Sequence, residues 1–117
     1  MTTNQVLEWA PFTLKPDVDE ATLLQVSERM QRDFLMGQQG FVRRELIKGA
    51  EGVYTDLVWW ESFAASQAAM KRAAASPAVK SYLGVMDFSA GDPRDGVSMF
   101  GIVGAYRPAP RLLALAI

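Results

Sequence analysis

Between Val53 and Trp60 the chain offers no polar side. Val53, Thr55, Leu57 and Trp59 occupy one phase of that run, and Tyr54, Asp56, Val58 and Trp60 the other. Such β-branched and aromatic residues favour a strand, and successive strand residues point to opposite faces of a sheet. A strand that is apolar in both phases needs cover on both faces. The run near the C-terminus repeats the pattern, with Met99, Val103 and Ala105 in one phase and Phe100, Ile102 and Tyr106 in the other.

The remaining elements supply only part of that cover. Val6 to Leu14 reads as a first strand, with Pro11 at an edge or a bulge because it has no N–H to donate. Asp17 and Glu20 resemble a capping box, and a helix follows with Leu23, Leu24, Ser27, Met30, Phe34 and Leu35 on one stripe. Gly37 and Gly40 end it. Phe41–Lys48 and Val53–Trp60 form a hairpin around Gly49-Ala50-Glu51-Gly52. Ser62 caps an alanine-rich helix whose small side chains allow close approach, and Ser76-Pro77 breaks and restarts it through Val79, Tyr82 and Leu83. A loop over 90–96 precedes the last strand, expected over 97–107. The order strand, helix, strand, strand, helix, strand is that of an α+β, ferredoxin-like domain. It predicts a four-stranded antiparallel sheet with helices on one face.

Two helices cover one face only. The bare face would expose several hundred Å² of apolar surface, roughly the upper range for a monomer. Burying it is worth on the order of 10 kcal/mol before association costs. A two-fold homodimer joined sheet to sheet is the expected solution.

Composition narrows the chemistry. The 117 residues suit one domain, read as 1–107 followed by an apolar tail over 108–117 expected to dock on its own domain or on a partner subunit. Half the residues are hydrophobic, and 12 basic side chains face 13 acidic ones, for a net charge of −1. That balance excludes a disordered chain and the basic footprint of nucleic-acid binding. The absence of Cys removes disulfides and thiolate chemistry, and the absence of His removes the commonest general base and metal ligand. No metal site, cofactor, secretory leader or transmembrane run is expected, and the default location is cytoplasmic.

Simple pairing across the hairpin sets Phe41 against Trp60, Arg43 against Val58, Glu45 against Asp56 and Ile47 against Tyr54. Two opposed carboxylates destabilise a sheet unless offset, and Arg43 is the nearby counter-charge. If buried, one carboxyl of the pair is driven upward in pKa, as in an acid/base site. Phe41, Arg43, Glu45, Tyr54, Asp56 and Trp60 are therefore the candidate ligand-lining residues, and Asp56, Glu45 and Arg43 the candidate catalytic ones. A solvent-balanced edge without function is the plainer alternative, and a one-residue bulge would break this register.

Gly40-Phe41-Val42-Arg43-Arg44-Glu45-Leu46, then Asp56-Leu57-Val58-Trp59-Trp60-Glu61-Ser62, then the alanine-rich helix into Ser76-Pro77, resemble the antibiotic-biosynthesis-monooxygenase-like family over about residues 5–107. The resemblance implies a dimeric α/β barrel with a pocket between sheet and helices for a small aromatic or polyketide-like molecule. Some members oxidise such substrates with oxygen alone, and others degrade heme. The Asn, Trp and His of the heme-degrading branch would fall near Ala10, Ala69 and Val79, so none carries over. Where many members carry a His beside the Ser-Pro restart, Ala78 stands here. Three functions fit: a binder of a small apolar or aromatic molecule, a cofactor-independent monooxygenase acting on a phenol or quinol, and an interaction module.

Overall fold

The computed structural model describes residues 4–91 and 96–109. Its elements run β1 (Val6–Phe12), α1 (Glu20–Asp33), β2 (Phe41–Lys48), β3 (Tyr54–Trp60), α2 (Phe63–Ala73), α3 (Pro77–Leu83) and β4 (Ser98–Gly101). The four strands form an antiparallel sheet in the order β2-β3-β1-β4. This is the ferredoxin-like arrangement that the element order predicts.

The β1–β3 register assigns the faces. Val6, Glu8, Ala10 and Phe12 pair with Trp60, Val58, Asp56 and Tyr54 on the helix-covered side. Leu7, Trp9 and Pro11 pair with Trp59, Leu57 and Thr55 on the opposite side. The core gathers on the helix side, where Leu23, Met30, Phe34, Val58, Trp60, Val79 and Tyr82 are buried together.

Local chemistry places the boundaries. Helix α1 starts two residues later than the capping-box reading from Asp17. Asp19 is the cap, and its carboxylate accepts from the Thr22 backbone N–H at 2.8 Å and from the Thr22 hydroxyl at 2.7 Å. Of the expected stripe, Leu24 is exposed, while Leu23, Ser27 and Met30 hold the buried line. Ser62 and Ser76 cap α2 and α3 through their hydroxyls, so the Ser76-Pro77 restart occurs as expected.

The first and last strands are both shorter than expected. β1 ends at Phe12, and Leu14 makes only an isolated bridge to Met86. β4 pairs with Val6–Trp9, so Pro11 lies beyond its reach, where β1 is an edge. At Gly101, β4 reaches Val6, the first residue of β1. One further bond follows, from Ile102 N–H to the Gln5 carbonyl at 2.9 Å, and among the described residues no strand pairs with the chain beyond it. Val103 and Tyr106 consequently stand in solvent. The apolar tail lies outside the described residues from 110 onward.

Gly40 joins α1 to the sheet at a point where no side chain fits. Its φ is +85°, and an added Cβ would lie 2.5 Å from the Ala65 Cβ on α2. Its carbonyl also accepts the Glu61 N–H at 2.8 Å. Gly40→Ala is expected to destabilise the fold by about 2 kcal/mol or more, because strain and overpacking add. Urea unfolding checks this, and Gly37→Ala, which meets nothing within 4 Å, is the mild control.

Candidate functional site

A cavity of about 470 Å³ lies between the sheet and the helices. β1 and β3 form its floor through Glu8, Ala10, Phe12, Asp56, Val58 and Trp60. Met30, Phe34 and Leu35 close one side, and α2 and α3 roof it with Ala69, Ala73, Val79 and Tyr82. The alanines of α2 thus act in two ways. Ala65 lets the helix crowd Gly40, while Ala69 and Ala73 are too small to fill the space beneath them.

The floor carries a buried ion pair. Arg44 Nε donates to Asp56 Oδ1 at 2.8 Å and Arg44 Nη2 donates to Oδ2 at 3.2 Å, a bidentate fork. The Tyr82 hydroxyl donates to Oδ2 at 2.9 Å, and Arg44 Nη1 donates to the Ser27 carbonyl at 3.2 Å. Burial opposes the charge on Arg44, but the adjacent Asp56 carboxylate outweighs it and raises the guanidinium above its ordinary value. Burial and the Asp56 charge push the Tyr82 phenol far upward, so it remains a neutral donor. Both oxygens of Asp56 are engaged.

Glu8 is the other carboxyl of the floor. Its Oε1 accepts the Trp60 indole N–H at 3.1 Å. Burial drives its pKa up; the indole bond and Arg44 oppose this, and the Asp56 charge adds to it. Glu8 was not among the candidates because both phases of β1 contain apolar residues, leaving its face undetermined. The available signal was a single charge in the phase of Val6, Ala10 and Phe12. Among the described residues, no group of three or more side chains gathers as metal ligands.

The expected hairpin register holds at Phe41–Trp60 and fails beyond it. A bulge between Phe41 and Arg43 shifts the pairing by one, so Arg43 faces Trp59, Arg44 faces Val58, Glu45 faces Leu57 and Leu46 faces Asp56. Arg43 and Glu45 therefore lie on the sheet face away from the helices. There Arg43 sits 4.0 Å over the Trp59 ring, and Glu45 lies 3.9 Å from the Arg43 guanidinium. The opposed pair of Glu45 and Asp56 does not form, and the counter-charge of Asp56 is Arg44.

Of the six candidate lining residues, Asp56 and Trp60 reach the cavity. Phe41 meets Trp60 edge-on, with ring centroids 5.9 Å apart. Tyr54 stacks on Phe12, and its hydroxyl donates to Glu20 Oε1 at 2.8 Å, tying β3 to the start of α1.

No protein-family profile and no curated protein matches the sequence. Solved structures do match the fold. SnoaB, a cofactor-independent oxygenase from Streptomyces nogalater, superposes with a TM-score of 0.65 at 19% identity, over 92% of this chain and 99% of its own. An antibiotic-biosynthesis-monooxygenase-type protein from Bordetella bronchiseptica gives 0.64 at 17% identity, over 86% and 99%. A protein of unknown function from Nitrosomonas europaea gives 0.65 at 15% identity, over 94% and 100%. The neighbours of this structure include antibiotic-biosynthesis-monooxygenase-like proteins, and at these identities the likeness is one of fold. The chain covers nearly the whole length of each.

Asp56→Ala strands the Arg44 charge in the floor and is expected to cost about 3–5 kcal/mol of unfolding free energy. The joint change Arg44→Met, Asp56→Leu removes both charges and is expected to recover most of that loss. Equilibrium urea unfolding of the two variants beside the parent checks the contrast.

Proposed function

We propose that this protein binds a small, flat, largely apolar molecule in the cavity between sheet and helices. The observation that carries this reading is the cavity itself. Its volume of about 470 Å³ falls in the range of small-molecule sites, and apolar side chains make up most of its wall, with Phe12, Phe34, Trp60 and Tyr82 among them. Trp60, only 2% exposed and forming part of the floor, serves as a reporter. A naphthalene-sized ligand is expected to alter its fluorescence saturably. Trp60→Phe should abolish that component while leaving the fold intact, and an unchanged emission across a series of apolar aromatics would remove the reading.

The functional unit is proposed to be a homodimer. The outer sheet face presents Trp9 at 40%, Ile47 at 41% and Phe100 at 51% exposure, with Trp59 under Arg43 between them. A second copy of the chain, applied by two-fold symmetry, covers these side chains with the same set. Sedimentation equilibrium is expected to give twice the mass of 12.9 kDa at micromolar concentration. Ile47→Glu should shift the population to the monomer, because it buries a charge at the join.

Oxygenation is the second reading, favoured by the raised pKa of Glu8 and by the SnoaB fold. A phenol with a free para carbon and one O2 yield a para-quinone and one water. One oxygen atom enters as the new carbonyl and the other leaves as water. Proton abstraction by Glu8 would form the electron-rich phenolate that reacts with oxygen. Phenol-dependent oxygen consumption, reduced about 10²-fold or more in Glu8→Gln, is the expected outcome.

A further inference from the structure

The cavity wall keeps its acids and its base on different sides. The floor holds the carboxyls of Glu8 and Asp56, and Lys80 is the only basic residue among the described ones that line the space. Asp56 is engaged by Arg44 and Tyr82, and burial pushes the Glu8 carboxyl up toward its neutral form. Lys80 differs from both. It belongs to α3 and to the cavity wall, and it is exposed. The other exposed members of the wall are Pro11 on β1, Met70 and Ala74 at the end of α2, and Leu83 on α3. The cavity therefore opens on this side, and Lys80 is the one charge on an apolar rim.

No acid close in the chain answers it. From Ser62 to Met86 the sequence carries Lys71, Arg72 and Lys80, and all 13 acidic residues lie outside that segment. Carboxylates near α3 have partners of their own. Asp33 on α1 lies 3.6 Å from Arg29, whose Nη1 donates to the Ser81 hydroxyl at 3.4 Å. Asp87, just past α3, accepts the Ser89 N–H at 2.9 Å. Among the described residues, no carboxylate pairs with Lys80. A lysine stem covers apolar surface while its ammonium stays in water. The rim thus joins an apolar opening to a cation that this part of the chain does not neutralise.

We propose that the cavity takes an amphipathic monoanion, a small apolar body ending in a carboxylate, with the body over Trp60 and the carboxylate paired with Lys80 at the rim. This inference rests on the reading of the cavity as a ligand site. The wall also sets the orientation. A carboxylate turned inward would lose its water and meet Glu8 and Asp56. Turned outward it keeps much of its hydration and gains an ion pair, while only the apolar body is dried. Lys71 and Arg72, in the last turn of α2, add to the positive potential through which such a ligand approaches. A half-solvated ion pair contributes modestly, so the preference it gives is about threefold to tenfold.

The probes are 2-naphthylacetate, 2-naphthaleneethanol and 2-naphthylethylamine, which share one body and differ in the charge at the end of a short arm. Calorimetry on the full chain at about pH 7 and low salt, where screening is weak, gives the three affinities. The acid is expected to bind at least about threefold tighter than the alcohol and about tenfold tighter than the amine. In Lys80→Gln the acid-to-alcohol ratio should fall to about one, and in Lys80→Glu the amine should bind tighter than the acid. Lys80 is exposed and outside the core, so the fold survives both substitutions. Lys71→Gln removes the same charge from the neighbouring helix and should leave the ratio within about twofold of the parent.

Equal affinity of acid and alcohol in the parent, or a ratio unchanged in both Lys80 variants, overturns the rim contact and leaves the cavity reading standing. Tighter binding of the amine to the parent overturns the ligand class. A loss in Lys71→Gln as large as in Lys80→Gln assigns the preference to the general field of the two helices, which also overturns the proposal. Failure of all three probes to bind the parent removes the cavity reading, and the proposal with it.

Discussion

Arg44 and Asp56 form the interaction to which the rest of the site is attached. The fork joins β2 to β3, the third Arg44 nitrogen reaches the Ser27 carbonyl of α1, and the Tyr82 hydroxyl brings in α3. Four elements thus meet at one desolvated guanidinium. A buried pair of this kind is a weak source of net stability, since desolvation offsets most of the attraction. Its value here is geometric. Any shift of β2, α1 or α3 relative to β3 leaves a buried charge or carbonyl without its partner, so the helices are held at a defined height above the sheet.

That height creates the cavity. With the roof fixed by the ion pair and by the contact of Ala65 with Gly40, the small side chains of Ala69 and Ala73 cannot descend to fill the gap. Space enclosed by rigid elements persists because interiors do not readily collapse around it. The two carboxyls of the floor then divide between two tasks. Asp56 neutralises Arg44 and is unavailable to a ligand, whereas Glu8 is held through Oε1 alone among the described residues, in a setting that favours its protonated form. Two acidic groups acquire different properties from their surroundings alone.

The two sheet faces also divide the aromatic residues. Trp60 sits in the core with its indole N–H committed to Glu8, and Trp59, its chain neighbour, faces outward under Arg43. The alternation of a strand sends two adjacent tryptophans to two different environments, one for the cavity and one for the outer surface.

Local chemistry was legible in the residues themselves. Strand propensity over Phe41–Lys48 and Tyr54–Trp60, the serine caps at Ser62 and Ser76 and the order of elements are set by neighbours a few positions apart. Together these determined the ferredoxin-like sheet and its one bare apolar face. The site was decided elsewhere. A single extra residue at Val42 moved Arg43 and Glu45 to the outer face and placed Arg44 on Asp56, because the side-chain period of a strand is two and one residue of slip inverts a face. The role of Glu8 likewise depends on Trp60, Asp56 and Arg44, which arrive from β2 and β3 across long stretches of chain. Its carboxyl is an ordinary surface acid until the tertiary structure removes water from around it.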